Sequence, residues 1–343
     1  YGHLRWGVVL AALAGLLFVV LKPGAWPVAA PLVLLWAFSP AIAWRMSAPR
    51  KVAETSILSE DETRSLRLLA RRTWRFFETF VDAEENALPP DNFQEAPEPA
   101  RAHRTSPTNL GLYLLSTTVA HDFGWIGILD TVDRLEDTLD AMTGLRRFRG
   151  HFFNWYDTRN LQPLDPVYVS TVDSGNLAGH LIVLAQACRE LVHRPLFGPE
   201  TLEGIRDALA LVLDAEEQDE PALRAQTVTQ THLREAAEAI AASLDDLPTS
   251  LPEWVSRLET LQAQAENLLD IARTLASEVD EGSRFEVLAW STSVRDCVAS
   301  HARDLEPALA LEGLDASRKA ETRLGHRLSA LALRAEGMVQ AMD

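Results

Sequence analysis

The chain has 343 residues, enough for two average domains or one large one. Its 47% hydrophobic and 24% charged residues are typical of a folded chain and exclude wholesale disorder. The net charge of −17 argues against nucleic-acid binding, because phosphate contacts need clustered Lys and Arg. Two cysteines cannot build a disulfide scaffold. Without a CxxC or His-rich cluster, we expect no metal and no cofactor in this segment.

Charge divides the chain into two parts. Residues 1–53 contain no Asp or Glu and five basic residues, whereas the remaining 290 residues hold all 49 acidic side chains and 27 of the 32 basic ones. Because the first residue is Tyr rather than Met, we expect a piece of a longer protein. The sequence predicts a transmembrane hairpin over 1–51 and a cytoplasmic helical domain over 52–343.

The hairpin is predicted from two uncharged apolar runs. Residues 6–21 and 26–44 are sixteen and nineteen residues long, and a bilayer core needs roughly 20. Trp6, Trp26 and Trp44 stand at the run ends, as interfacial aromatic residues do. A signal peptide would explain only the first run, and a buried hairpin of a soluble protein is the other alternative.

The basic residues predict the orientation of this hairpin. Arg5 precedes the first run, and Arg45, Arg50 and Lys51 follow the second, against a single Lys22 between them. Positive residues favour the cytoplasmic side, so both ends and the acidic domain are expected there. This pattern predicts a multi-pass protein of the inner (cytoplasmic) membrane that contacts membrane lipid.

The domain after the hairpin is predicted to be all-α. Apolar residues recur at three- and four-residue steps, and Ser106-Pro107 is typical of a helix start. The shorter predicted helices cover 59–80, 106–119, 128–143, 173–192 and 199–215. Within a variable region, 216–343, longer polar-faced helices are predicted over 223–244, 252–279, 285–305 and 314–342. No stretch alternates convincingly as a strand, and the β-rich residues 167–169 are one short piece.

Three segments between helices are richer in polar and aromatic residues than connectors need. They cover 88–106, 149–157 and 164–176. In an up-down array, the first-to-second and third-to-fourth helix junctions lie at one end, so these segments are predicted to converge on one face. Aromatic rings stack on sugar rings, and Asp or Asn binds hydroxyls, which makes carbohydrate a natural ligand. Alternatively, Trp155 and Tyr156 only fill a long loop and Asp173 only caps a helix.

The sequence lacks the local motifs of several classes of enzyme. The sequence has no GxGxxG, GxxxxGK[ST], GxSxG or HExxH, which would indicate nucleotide binding, a hydrolase triad or a zinc protease. Glycosidase chemistry needs two carboxylates about 5–10 Å apart across the scissile bond, a separation that a sequence does not define. Glu84 and Glu85 are adjacent at a helix end and are expected to point apart into water.

Five segments carry a resemblance to a known family. They read LPPDNFQE (88–95), RTSPTNLGLYLLS (104–116), HDFGWIG (121–127), LRRFRGHFFNWYDT (145–158) and YVSTVDSGNLAGHL (168–181). In this order they resemble the cyclic β-1,2-glucan synthase family, strongly over roughly residues 1–195 and more weakly over 196–343. Several consecutive motifs in one order are much more specific than any single one.

The resemblance implies one part of a very large polypeptide. In that family a membrane glycosyltransferase module extends the glucan from UDP-glucose, a middle glucoamylase-like (α/α)6 domain is associated with cyclisation by transglycosylation, and a phosphorylase-like domain trims the chain. This chain would hold the last membrane hairpin and a partial (α/α)6 barrel. Its partners would be the β-1,2-glucan chain and the remaining modules of the same polypeptide.

The resemblance also implies where the chemistry lies. Only about nine helices are predicted against the twelve of a complete barrel, so we expect the catalytic carboxylates downstream of Asp343 and this segment alone to be inactive. The residues that match the motif segments and are expected to contact glucan are Asp91, Asn92, Trp155, Tyr156, Asp157 and Asp173. Two other functions stay open: a membrane-anchored helical scaffold for protein partners, and another α/α-barrel glycoside hydrolase or phosphorylase.

Overall fold

A computed structural model describes residues 5–47, 58–218, 227–277, 284–311 and 322–343. The chain divides into two compact units, Tyr1–Glu60 and Asp61–Asp343. The domain boundary predicted between residues 51 and 52 lies outside the described residues, as do the helix limits predicted at 223, 279 and 314.

The first unit is a helical hairpin. Helix α1 (Arg5–Leu21) leads through a 3₁₀ turn (Pro23–Ala25) into α2 (Trp26–Ser47). The two helices bury Ala11 and Ala29 and expose most of their larger apolar side chains. A Cβ on Gly15 would lie 3.4 Å from Val33 Cγ1. Small residues therefore let the two helices approach closely, as they do in membranes.

One helix of the described residues, Pro23–Ser47, is long and apolar enough to cross a bilayer. The apolar helix Trp6–Leu21 falls short of that length. A signal sequence near an N-terminus would satisfy the same test. The unit thus supports membrane association through one candidate span, and the second predicted span stays a prediction.

The second unit is mostly helical, as predicted. Its helices are α3 (Glu60–Phe80), α4 (Pro107–Asp122), α5 (Ile128–Gly144), α6 (Thr171–Leu191), α7 (Pro199–Gln218), α8 (Thr227–Ser243), α9 (Leu251–Ser277), α10 (Arg284–Arg303), α11 (Leu305–Leu311) and α12 (Arg323–Gln340). The strands of the described part are β1 (Phe93–Gln94), β2 (Ala100–Arg101), β3 (Arg104–Thr105), β4 (Arg147–Phe148), β5 (His151–Phe152) and β6 (Tyr156–Asp157). They pair antiparallel as β1–β2, β3–β6 and β4–β5. Two-residue strands are too short to show the alternation that predicts a strand.

Local capping determines where the helices of the loop-rich part begin. Ser106 caps α4 and accepts a hydrogen bond from Asn109 N at 3.2 Å, with Pro107 in the first turn, as predicted. Helix α6 begins two residues earlier than predicted. Its N-cap is Ser170, which accepts from Asp173 N at 3.2 Å, so Asp173 lies in the first turn instead of capping it.

The first hydrophobic core joins the early helices of the unit to the last one. Helices α4, α5, α6 and α12 contribute the fully buried Leu110, Leu139, Leu181 and Leu328, respectively. Helix α12 packs against α6 and α5. Although α12 lies within the variable region of the sequence, it therefore belongs to the same core as the motif-bearing helices.

The second hydrophobic core lies between α7, α8, α9 and α10. These helices contribute Leu211, Ile240, Leu268 and Val294, which are fully buried. Helix α10 packs against α7 and α9, and α9 packs against α8. The four helices therefore form a bundle that is inserted in sequence between α6 and α12.

Candidate functional site

A strand pair joins two of the polar–aromatic segments. Strands β3 and β6 run antiparallel, with Arg104 opposite Asp157 and Thr105 opposite Tyr156. The connection between α3 and α4 and the connection between α5 and α6 therefore lie side by side. The up-down arrangement of the helices predicts this convergence, because both connections join helices at the same end.

The N-termini of α4 and α6 lie next to each other on this face. Thr108 Oγ1 donates to Asp173 Oδ1 at 2.6 Å and accepts from Asn176 Nδ2 at 3.2 Å. One turn along, a Cβ on Gly111 would lie 2.2 Å from His180 Nδ1, so only glycine permits this approach. The two helices therefore run in the same direction and present their positive dipole ends on one side.

Asp91 connects the loop after α3 to the start of α4. Its Oδ1 accepts from Asn109 Nδ2 at 3.2 Å, and its Oδ2 accepts from Arg104 Nη2 at 2.9 Å and from Asn92 Nδ2 at 3.0 Å. The Asp91 side chain is 18% exposed. The structure thus brings Asp91 and Asn92 together, and four hydrogen bonds from three residues, including one from Arg104 Nε at 3.2 Å, fix the orientation of the carboxylate.

Trp155 and the Asp91 carboxylate share one neighbour, Arg104, which contacts both of them. The Arg104 Cζ is 4.7 Å from the centre of the indole ring, and the ring is partly buried. Trp155 O accepts from Leu164 N at 2.9 Å, and Asn154 N donates to Tyr168 O at 2.8 Å. These backbone bonds attach the third polar–aromatic segment to the second, so all three converge.

Tyr156 lies under the site and has no exposed surface. Its hydroxyl donates to Arg146 O and accepts from Phe153 N, both at 2.7 Å. Burial raises the pKa of the Tyr156 hydroxyl to about 12, although the Phe153 hydrogen bond acts in the other direction. This placement matches the alternative in which Tyr156 fills the loop.

Asp157 organises the turn that follows β6. Its Oδ1 accepts from Arg159 N at 2.9 Å and from Asn160 N at 3.2 Å. Burial alone would raise the pKa of the Asp157 carboxyl, but these hydrogen bonds outweigh it and hold that pKa below its usual value. Asp157 therefore shapes the loop that carries Trp155, and its side chain is 16% exposed.

The prediction that Glu85 points into water is wrong. Its side chain is fully buried, and it accepts from Arg101 Nη1 at 3.1 Å and from the hydroxyl of Thr158. His103 Nδ1 lies 2.7 Å from Glu85 Oε1. Adjacent Glu84 is exposed, as expected. The buried Glu85 carboxylate therefore connects the loop before α4 to the loop after β6. In the sequence, only the basic residues of the same loop indicated that this carboxylate has partners.

The arrangement suits hydrogen bonding to hydroxyl groups. Asp173 accepts a hydrogen bond from Thr108 and has further lone pairs for a ligand, whereas Asp91 already accepts four hydrogen bonds from the protein. Trp155 adds an aromatic surface that contacts Arg104, the partner of Asp91. Among the residues that the structure describes, no group of three or more His, Cys, Asp or Glu could hold a metal ion.

These features define a class of protein: a helical domain with a polar–aromatic face at the N-termini of two parallel helices, preceded in sequence by an apolar helical hairpin. No protein-family model matches the chain. Over 310 residues, 89% of this chain, the sequence is 39% identical to the cyclic β-(1,2)-glucan synthase NdvB of Rhizobium meliloti (strain 1021). The chain belongs to the cyclic β-1,2-glucan synthase family. It spans 11% of the length of that relative.

Proposed function

We propose that this chain is a segment of a membrane-bound cyclic β-1,2-glucan synthase and takes part in glycosyl transfer and cyclisation of glucan made from UDP-glucose. The observation that carries the proposal is the convergence of the motif segments on one face through the pairing of Arg104–Thr105 with Tyr156–Asp157. The family membership supports the choice of β-1,2-glucan as the sugar.

The second unit is proposed to be part of an (α/α)6 barrel. Helices α4 and α6 are alternate helices in sequence and run in the same direction, as alternate helices of such a barrel do. Their outward sides expose Leu112, Val119, Ile182 and Val183. An apolar surface of this kind supports the idea that the remaining modules of the same polypeptide cover it.

The glucan chain is proposed to lie across the N-termini of α4 and α6. The carboxylates of Asp91 and Asp173 would accept hydrogen bonds from hydroxyl groups, and the Asn92 amide would donate or accept one. Trp155 would stack on a sugar ring. Tyr156 and Asp157, which were also predicted as contacts, would act from beneath by holding the Trp155 loop in place.

The first unit is proposed to be a two-span hairpin in the inner membrane. Both of its apolar helices would cross the bilayer and contact lipid, with the second unit in the cytoplasm. The close packing of α1 on α2 at Gly15 and the basic residue Arg45 at the end of α2 support this topology.

Calorimetric binding of linear β-1,2-gluco-oligosaccharides to the detergent-solubilised chain tests the glucan-binding face. We expect saturable binding that weakens by about tenfold in Trp155→Ala, because a stacked ring is lost. Phe148→Ala is the control, since Phe148 is an exposed aromatic residue on the neighbouring β4–β5 hairpin. The chain alone is expected to form no glucan from UDP-glucose.

Three outcomes would contradict the proposal. Equal affinities of the wild type and Trp155→Ala would mean that the converged loops only pack against the helix ends. Binding of β-1,4-gluco-oligosaccharides at the same strength would favour another glycoside hydrolase or phosphorylase over the synthase. A folded chain that binds no oligosaccharide would favour the scaffold function.

A further inference from the structure

A large cavity lies between α3, α5 and α10 of the second unit. Its volume is about 1090 Å³, which exceeds the roughly 300–1,000 Å³ typical of a pocket for one small molecule. Phe93, Glu95, Trp125 and Asp130 are among the residues that line it. Phe93 and Glu95 belong to the segment 88–106, which also carries Asp91, so this segment borders both the cavity and the face formed by Asp91, Trp155 and Asp173.

One wall of the cavity is aromatic. The ring centres of Phe76 and Phe80 are 5.2 Å apart, and Phe93 stacks on Phe80 at 4.5 Å. All three side chains line the cavity and are partly exposed to it. Such a wall can pack against the apolar faces of sugar rings, which a purely charged pocket could not do.

The positive charges of the lining are already neutralised. Its arginines pair with carboxylates in four contacts: Arg72 with Asp214 at 3.1 Å, Arg75 with Glu286 at 2.7 Å, Arg134 with Asp130 at 3.2 Å, and Arg303 with Asp133 at 2.5 Å. These carboxylates reduce the positive potential that would attract a phosphate or carboxylate ligand. The balance of charge therefore favours a neutral ligand.

Glu78 offers a fixed acceptor in this cavity. Its two oxygens accept from Arg71 Nη1 at 2.8 Å and Arg71 Nη2 at 3.1 Å. Arg71 is 1% exposed and lies near the rings of Trp125 and Trp290, at 5.9 Å and 5.4 Å from their centres. Because the arginine is buried, the carboxylate at the cavity wall keeps a single orientation and retains lone pairs for hydroxyl donors.

Asp296 supplies a second acceptor from α10. The Asp296 side chain is 59% exposed, and its Oδ1 lies 2.6 Å from Arg295 Nε. Glu78, Asp130 and Asp296 all line the cavity. Several hydroxyl acceptors are thus grouped beside the aromatic wall.

We propose that this cavity is a second oligosaccharide-binding site, which holds a neutral glucan segment between Phe80, Glu78 and Asp296. The choice of glucan as the oligosaccharide rests on the proposed function, whereas the cavity and its chemistry do not. The site would retain part of a long glucan while another part lies on the face formed by Asp91, Trp155 and Asp173.

The test is calorimetry of the whole chain with linear β-1,2-gluco-oligosaccharides, read as the number of binding sites. Ala289 lines the cavity from α10, so Ala289→Trp fills it. Ala302→Trp is the matched control, on the same helix but outside the cavity lining. We expect two sites in the wild type and in Ala302→Trp, and one site in Ala289→Trp. Circular dichroism melting establishes that each variant is folded.

A milder substitution guards against misfolding of the filled variant. Asp296→Asn removes one charged acceptor, and we expect the second site to weaken by about three- to tenfold. Asp270→Asn is its control, because Asp270 is an exposed aspartate on α9 that is also paired with an arginine. Unchanged affinity in Asp296→Asn together with two sites in Ala289→Trp would overturn the proposal.

The two proposals can fail separately. One site that is removed by Trp155→Ala and unaffected by Ala289→Trp would leave the proposed function standing and overturn the second site. One site that is removed by Ala289→Trp and unaffected by Trp155→Ala would support binding in the cavity. It would overturn glucan binding at the face formed by Asp91, Trp155 and Asp173. Binding of UDP-glucose that Ala289→Trp abolishes would overturn the assignment of a neutral ligand to the cavity.

Discussion

Asp304 caps a helix that begins 176 residues before it. Its Oδ2 accepts from Ile128 N at 2.8 Å, and its Oδ1 accepts from Leu129 N at 2.9 Å, at the start of α5. Ser300 Oγ accepts from Gly127 N at 2.8 Å in the same place. The end of the inserted bundle therefore completes a helix of the first core, and the two cores are joined by hydrogen bonds at this point.

Replacement of Asp304 by Ala is expected to destabilise the second unit. Two amide groups at the buried start of α5 would lose their acceptor, and we expect a loss of about 2 kcal/mol in the free energy of unfolding. Urea unfolding followed by circular dichroism measures this. Asp270→Ala on the exposed side of α9 is the control, and an equal effect of both variants would contradict the capping role.

His301 and Asp304 are expected to give opposite pH dependences of stability. Burial lowers the pKa of His301 from 6.5 to about 4, although the hydrogen bond of its ring with Gly124 O favours the proton. Burial raises the pKa of Asp304 from 3.8 to about 6, against the pull of the Ile128 and Leu129 amides. Between pH 4 and 6, the unfolded chain binds more protons at His301 and the folded chain binds more at Asp304.

The two contributions therefore oppose each other in the wild type, and single substitutions reveal them. In Asp304→Asn only His301 remains, so the free energy of unfolding should rise more steeply from pH 4 to 6 than in the wild type. In His301→Gln only Asp304 remains, so the free energy of unfolding should rise less from pH 4 to 6 than in the wild type, or fall. Each slope should differ from the wild type by at most about 1.4 kcal/mol per pH unit. Parallel curves for all three proteins would contradict the assigned pKa values.

The features that could be predicted from the sequence are those that depend on short-range patterns. The start of α4 at Ser106 follows from a cap and a proline that are neighbours in sequence, and the convergence of the loops follows from the up-down order of helices. The roles of Glu85 and Asp304 were not predictable. Their partners lie up to 73 and 176 residues away, and only the packing of the helices brings them together. The same holds for α12, whose amphipathic pattern does not say which core it joins.

Two glycines on α4 and α6 are expected to respond oppositely to alanine. A Cβ on Gly111 would lie 2.2 Å from His180 Nδ1 and 3.0 Å from its Cβ, so Gly111→Ala should push the two helices apart and lower stability by about 1–3 kcal/mol. A Cβ on Gly179 would meet nothing within 4 Å, so Gly179→Ala should raise stability by up to about 1 kcal/mol through helix propensity.

Thermal unfolding of both variants checks this difference in sign. Gly111→Ala combined with His180→Ala should recover part of the loss, because the clashing ring is removed. A melting temperature of Gly111→Ala at or above that of the wild type would show that α4 and α6 have room to spare at this crossing.

Replacement of Glu85 by Ala is expected to separate the two loops of the face that is proposed to bind glucan. Arg101 would lose one of its two carboxylate partners, and Thr158 would be left buried without its acceptor. Removing one member of a buried charge pair costs about 3–5 kcal/mol, so the second unit should be strongly destabilised. Glu84→Ala, at the adjacent exposed position, should change stability by less than about 0.5 kcal/mol.

Hydrogen exchange distinguishes a local role of Glu85 from a global one. If the carboxylate holds the loops together, the amides of β3 and β6 should exchange faster in Glu85→Ala than in Glu84→Ala, and oligosaccharide binding at Trp155 should weaken with them. Unchanged exchange in β3 and β6 would mean that the strand pair is stable by itself. In that case Glu85 would stabilise the loop between α3 and α4 without positioning the face that is proposed to bind glucan.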